Sequence, residues 1–231
     1  MSIRAIGFDL DDTLYNRKNI YKKVFDVMEA SVINTEIKFE NFFDEFQGFS
    51  DIEYGKFMQR IKNKKDYKND RVIKSYNFFG KKLSKKEAAI FNSLYLYFLN
   101  SIEYREGTEL LLKYLIKNGY DLFILTNGSS GDQRKKLKYL GIENYIPSNK
   151  WFISDELNCT KPDRKIYKYV EQSLGYKGKE ILYIGDDIEN DIVGAQSSNW
   201  ETILLNIHKL SDFPVDTARI NNLCQIIDFL N

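Results

Sequence analysis

The stretch IRAIGFDLDDTLY, residues 3 to 15, is an apolar run that breaks at once into three carboxylates, Asp9, Asp11 and Asp12, followed by Thr13. A second stretch, EILYIGDDIENDI at residues 180 to 192, has the same form and ends in Asp186, Asp187, Glu189 and Asp191. Each run is short, aliphatic or aromatic, and stopped by polar residues, which is the signature of a strand. Three further segments match it: DLFILTN at 121 to 127, KWFIS at 150 to 154 and TILLN at 202 to 206. None of the five alternates cleanly between apolar and polar. Near-continuous apolar runs are what parallel strands need when both faces of their sheet are covered.

Between these strands lie amphipathic helical patterns. GTELLLKYLIKNG stops at Gly119, SGDQRKKLKYLG stops at Gly141, and KPDRKIYKYVEQSLG is expected to start at Pro162 and stop at Gly175, with Pro opening and Gly closing the helix. Helix and strand alternate from about residue 106 onward, so the expected fold is α/β with a doubly wound, Rossmann-like parallel sheet.

Residues 16 to 105 interrupt this rhythm. They contain no convincing strand, but several helical patterns: NIYKKVFDVMEASVI, NFFDEFQGF and SKKEAAIFNSLYLYFLNSI, the last opening with Ser84 and Glu87 in capping-box spacing. The expected organisation is a core of residues 1–15 and 106–231 with an all-helical domain, 16–105, inserted after the first strand. Phe91, Leu94, Tyr95 and Phe98 fall at helical spacing and read as core. The Lys-rich segment RIKNKKDYKND, 60 to 70, reads as a solvated helix face or a loop because its charge is mixed.

The 231 residues carry 34 Lys and Arg against 33 Asp and Glu, a net charge of +1. That balance gives no general electrostatic grip on a nucleic acid polymer or a membrane. No run approaches the ~20 apolar residues of a transmembrane helix, and the N-terminal run is too short for a signal sequence. A cytoplasmic protein, monomer or homodimer, is expected. Cys159 and Cys224 lack metal-ligand spacing and disulfide density and read as free thiols. His208, the single histidine, has no partner histidine for a zinc site and reads as a surface or loop residue.

In an open parallel sheet, ligands gather outside the carboxyl ends of the strands. The residues at those ends are Asp9, Asp11, Asp12 and Thr13; Thr126, Asn127 and Gly128; and Asp186 and Asp187, with Lys161 just before a helix. Seven acids in two short segments need positive charge. Oxygen ligands without His or Cys point to a hard divalent cation, and sparse carboxylates that leave room for water suit Mg²⁺. A metal, a lysine and exposed backbone N–H groups together make a phosphate site. Asp9 and Asp11, two apart, face one side of an extended chain. One can then attack phosphorus while the other, Asp11, hands a proton to an alkoxide leaving group.

Four strings in order, Asp9-Leu-Asp11-Asp-Thr13, Thr126-Asn127-Gly, Lys161-Pro-Asp and Gly185-Asp186-Asp-Ile-Glu-Asn-Asp191, resemble the four motifs of the haloacid dehalogenase (HAD) superfamily. Each alone could also be a turn or a helix cap. Together, each at the end of its expected element, they identify the family. The resemblance implies Asp9 as nucleophile and metal ligand, and Asp11 as general acid and base whose backbone carbonyl also meets the metal. Asp186 would complete the metal site, with Thr13, Asp187 and Asp191 in support. Phosphate contacts would come from Leu10, Asp11, Thr126, Asn127 and Lys161.

The inserted helices resemble the family's first type of cap, with Tyr15 and Asn16 at its hinge and substrate specificity between residues 15 and 105. The implied activity is Mg²⁺-dependent hydrolysis of a small phosphorylated metabolite, a nucleotide or sugar phosphate, through an aspartyl-phosphate. The wording of the motifs looks most like the phosphatases that include pyrimidine 5'-nucleotidases and N-acylneuraminate 9-phosphatases. The acid at Asp11 sets the chain apart from the dehalogenases, because halide leaves without a proton. A sugar phosphomutase is the nearest alternative. A phospho-accepting signalling receiver and a non-catalytic binding protein are more distant ones.

Overall fold

The computed structural model of the chain describes residues 2–205 and 216–230. His208 and the last residue of the TILLN segment lie outside them. The chain divides into two compact units, residues 1–16 with 102–231, and residues 17–101.

Strand β1, Ala5–Phe8, is completely buried and opens the first unit. The chain then enters the second unit through helices α1 (Arg17–Met28), α2 (Phe39–Met58), α3 (Lys64–Phe78) and α4 (Lys85–Leu99). The regular elements of this unit, among the described residues, are all helical. The segment read as one helix from Asn19 is α-helical only to Met28 and continues as a π-turn over Glu29–Ile33. At α4 the capping box forms as its spacing predicts: Glu87 N–H donates to Ser84 Oγ at 3.2 Å and Ser84 N–H to Glu87 Oε2 at 2.7 Å. The unit's interior is aromatic. Tyr21 stacks on Tyr95 with ring centres 4.9 Å apart, and Phe42 contacts Phe46, Tyr76 and Phe91. Phe91 and Tyr95 are buried as expected, whereas Leu94 and Phe98 are half-buried.

The Lys-rich segment is a loop running into a helix, most of it exposed or half-buried as read, but Lys62 has a buried partner. Its residues from Lys64 begin α3, and Lys62 donates to Glu53, a carboxylate with no exposed surface on α2. Lys56 and Lys74 complete the cage at 2.7 and 2.6 Å.

Back in the first unit the elements are α5 (Thr108–Lys117), β2 (Asp121–Thr126), α6 (Ser130–Tyr139), β3 (Trp151–Ile153), α7 (Ser154–Leu157), α8 (Arg164–Leu174), β4 (Ile181–Gly185), α9 (Gly194–Gln196), β5 (Glu201–Leu205), β6 (Ala218–Ile220) and α10 (Ile226–Leu230). The six strands form one parallel sheet in the order β3-β2-β1-β4-β5-β6. The chain runs outward from β1 to β3 on one side and from β4 to β6 on the other. The order therefore reverses between β1 and β4, the switch point where such sheets open a crevice at their carboxyl ends. Phe8 lies in register with both Ile124 and Ile184, so the residues after Phe8 emerge between the ends of β2 and β4.

Five strands match the expected segments. The sixth, β6, is an edge strand of three residues, Ala-Arg-Ile, with no apolar run to betray it. Helix α8 also differs: it begins at Arg164, and Asp163 caps it by accepting from Lys165 N–H at 2.9 Å. Pro162 precedes that cap, joined to Lys161 by a cis peptide bond. Aspartate is a strong N-cap and takes the position that Pro was expected to open. Phe123, Phe152, Tyr167, Tyr183 and Trp200 make a buried aromatic cluster in this unit. No helix of the described residues is long and apolar enough to cross a membrane.

Candidate active site

The loop after β1 turns sharply. Asp12 takes a left-handed φ of 63° and Leu14 N–H closes back on the Leu10 carbonyl at 3.1 Å. Arg105 reaches the Asp12 carbonyl with two nitrogens, at 2.8 and 3.1 Å, and so clamps the turn. Asp9 stands at its start, buried, with Oδ1 accepting from Lys161 Nζ at 2.7 Å. Lys161 also donates to Asp191 Oδ1 at 2.6 Å and to the Tyr183 hydroxyl at 2.9 Å. Those three bonds use all the protons of an ammonium.

One ammonium thus faces two buried carboxylates. Burial alone would lower the Lys161 pKa, but Asp191 and Asp9 outweigh it and hold the group well above the usual lysine value. Burial pushes Asp9 up, Asp191 adds to this, and Lys161 only partly opposes it, leaving Asp9 at about 7.

Asp186, at the end of β4, accepts from the Thr13 hydroxyl at 3.1 Å. Carboxylate oxygens of Asp9, Asp186 and Asp191 lie within 4.8 Å of one another. All are hard oxygen donors, a set that fits a hard divalent cation. Asp191 is already committed on both oxygens: Oδ1 to Lys161, and Oδ2 to the backbone N–H groups of Asp186 and Asp187 at 3.1 and 3.0 Å. A Cβ at Gly185 would overlap that carboxylate, so glycine is what permits the approach. Asp187 points elsewhere; it is exposed and its side chain caps the following turn by accepting from Asn190 N–H at 2.8 Å.

After β2, the Thr126 hydroxyl is buried and accepts from Gln133 Nε2 at 2.7 Å. Asn127 is turned toward the chain at Lys161, donating to its carbonyl and accepting from its N–H, both at 2.9 Å. Its amide thereby fixes the backbone of the lysine. The donors around Asp11 were not foreseen, Tyr15 having been read only as a hinge residue. Lys136 Nζ meets both carboxylate oxygens, at 2.7 and 2.8 Å, Gln133 Nε2 meets Oδ2 at 2.8 Å, and the Tyr15 hydroxyl donates to Oδ1. Tyr183 and Arg105 were missed as well. A faint signal existed: Gln133, Lys136 and Leu137 on α6, with Leu140 just past its end, fall on one helical stripe, and all four are buried.

The first unit therefore gathers a buried carboxylate, a buried ammonium, a second carboxylate with its own donors, and a three-aspartate cluster at one switch point. A family model of haloacid dehalogenase-like hydrolases matches residues 3–199. The pyrimidine 5'-nucleotidase PynA of Streptococcus pneumoniae is 29% identical over 221 residues, covering 92% of this chain and 87% of that protein. A glyceraldehyde 3-phosphate phosphatase of Methanothermobacter thermautotrophicus is 25% identical over 226 residues, covering 96% and 93%. The magnesium-bound crystal structure of YfnB from Bacillus subtilis matches the fold with a TM-score of 0.78 at 22% identity over 100% of both chains. Solved dehalogenases share the fold too. With the family model spanning most of its length and the motif residues converging at the sheet's switch point, the chain belongs to the haloacid dehalogenase-like hydrolases.

Proposed function

We propose that this hydrolase is a phosphomonoesterase that works through an aspartyl-phosphate on Asp9. The observation that carries the proposal is the pairing of a buried Asp9, bonded to Lys161, with a second carboxylate at Asp11. Asp9 forms an oxygen–phosphorus bond as the phosphorus–leaving-oxygen bond breaks, and Asp11 gives its proton to that leaving oxygen. Asp11, now a carboxylate, takes a proton from water as the water oxygen attacks phosphorus. The bond to Asp9 then breaks, inorganic phosphate departs and both aspartates return to their starting forms. Lys161 and Thr126, with backbone groups of Leu10, Asp11 and Asn127, offset the phosphoryl charge.

Asp9, Asp186 and the Asp11 carbonyl would hold Mg²⁺, with Thr13 and Asp191 in support. Bound there, the ion supplies further neutralisation of the phosphoryl oxygens. Magnesium in the YfnB crystal structure supports this choice. Asp11 also separates the two chemistries found on this fold: a halide leaves without a proton, whereas an alkoxide needs one.

The named relatives act on a pyrimidine 5'-nucleotide and on glyceraldehyde 3-phosphate. Both compounds carry phosphate on a primary alkyl oxygen, and that is the substrate class we assign: a small metabolite, in the cytoplasm, with the helical unit acting as the specificity-setting cap. The test is a panel of such esters with Mg²⁺. Wild-type protein releases inorganic phosphate from at least one of them and Asp9→Asn releases none. Full release by Asp9→Asn would show the mechanism to be wrong.

A further inference from the structure

Lys136 is out of place for a lysine on an amphipathic helix. Its neighbours on α6, Lys135 and Lys138, are exposed, while Lys136 points inward and is 6% exposed. Burying an ammonium is costly unless its partners are good. Here its three protons go to Asp11 Oδ1 at 2.7 Å, Asp11 Oδ2 at 2.8 Å and Gln133 Oε1 at 2.7 Å. Gln133, 2% exposed, turns its amide nitrogen to Asp11 Oδ2, to the Thr126 hydroxyl at 2.7 Å and to the Asn127 carbonyl at 3.2 Å. The loop is shaped around it, for a Cβ at Gly128 would overlap the Gln133 side chain.

A carboxylate has about four acceptor positions. On Asp11 these are met by Tyr15 and Lys136 at Oδ1 and by Gln133 and Lys136 at Oδ2. An apolar side chain would fill the space of Lys136 with less desolvation. What the ammonium adds is a fixed orientation of Asp11, and what Gln133 adds is a rigid link from Asp11 to Thr126. These bonds describe the carboxylate form; when Asp11 carries a proton, the proton takes the place of one of the two Lys136 bonds, and the remaining donors keep the group in the single geometry that proton transfer to a defined leaving oxygen needs.

We infer that Gln133 and Lys136 are positioning residues for proton transfer: from one helix they lock the Asp11 carboxylate and the Thr126 hydroxyl into a single frame. The inference rests on the assignment of Asp11 as proton donor in the hydrolase mechanism above. A lysine that served only the stability of the fold would affect all substrates alike. One that orients a proton donor affects those whose leaving group needs the proton.

The experiment uses the full chain with Mg²⁺ and two probes, 4-nitrophenyl phosphate, whose phenolate leaves readily, and glycerol 3-phosphate, a primary ester whose alkoxide does not. Lys136→Met lowers kcat on glycerol 3-phosphate by about 100-fold and on 4-nitrophenyl phosphate by less than about 10-fold, with KM changed little, in line with the ~10²–10⁴-fold share of general acid catalysis. Lys136→Arg, which keeps the charge and a forked donor, recovers most of the loss. In an Asp11→Asn background, adding Lys136→Met changes kcat by less than about twofold, because residues acting as a unit are not additive. If Lys136→Met fails to fold, Lys136→Gln, which keeps a neutral donor, takes its place in the same comparison. Equal losses on both probes, or losses that multiply with Asp11→Asn, overturn the positioning role alone. A wild type that releases phosphate from neither probe, nor from the panel of primary esters, removes the hydrolase reading and this inference with it.

Discussion

At the scale of single residues, the site is governed by the sharing of one ammonium between two carboxylates. Asp191 has both oxygens engaged, one by Lys161 and the other by two backbone N–H groups of the metal-site loop. It acts by holding Lys161 and the loop that carries Asp186. Asp191→Asn should therefore raise the Mg²⁺ concentration needed for half-maximal activity by about 10–100-fold, the usual cost of losing an outer-shell partner. A Mg²⁺ titration that overlays the wild type would contradict that role. Asp11→Asn should cost about 10²–10⁴-fold on an alkyl phosphate and much less on an aryl phosphate; equal losses would remove its assignment as the acid. Asp9, Thr126, Lys161 and Asp186 were picked out because four motifs occur in order, each at the end of a strand or just before a helix, although any one of them alone could be a turn or a cap. Lys136 was not, since in the string Arg134-Lys135-Lys136 nothing but its phase on the helix separates it from its solvated neighbours. Asp187 read as part of the acidic cluster, but its carboxylate is a cap; composition cannot tell an acid facing a cation from one facing backbone N–H groups.

At the scale of elements, the parallel strands were legible from continuous apolar runs, and the edge strand Ala218–Ile220 was hidden because an edge needs neither length nor two apolar faces. Helix α8 shows the limit of punctuation rules: Pro162 and Asp163 both signal a helix start, and the residue with the side-chain acceptor took the cap. In the helical unit, the Glu53 cage yields a prediction of its own. Burial raises the Glu53 pKa, but hydrogen bonds from Lys56, Lys62 and Lys74 outweigh this and draw it from an ordinary 4.5 down to about 2. A depressed acid contributes its full stability above its unfolded value and loses it as the pH falls through the folded one. Glu53→Gln should therefore destabilise the protein by about 1.5–3 kcal/mol at neutral pH, the range for hydrogen bonds to a charged group. The difference from wild type should shrink between pH 4.5 and about 2. Urea unfolding across that range checks it, and an offset that stays constant with pH would contradict it.

At the scale of the whole molecule, the decisive feature is topological. Strand order reverses between β1 and β4, so strings that lie 177 residues apart, Asp9 and Asp186, end at one crevice. That convergence was legible before any coordinates, because the four motifs occur in order and each follows its own element. The aromatic stripes of residues 17–101 were less informative, since a helix face rich in Phe and Tyr has the same spacing whether it packs in a core or meets a ligand. Chelation of divalent cations should abolish phosphate release and added Mg²⁺ should restore it; activity that survives exhaustive chelation would remove the metal from the account. The central claim is that Asp9 carries the phosphoryl group. Rapid acid quench during turnover, followed by peptide mass spectrometry, measures it directly. One added phosphoryl mass is expected on the peptide containing Asp9 in the wild type and none in Asp9→Asn. A phosphoryl group on another residue, or turnover with no phosphorylated peptide and undiminished activity in Asp9→Asn, would contradict it.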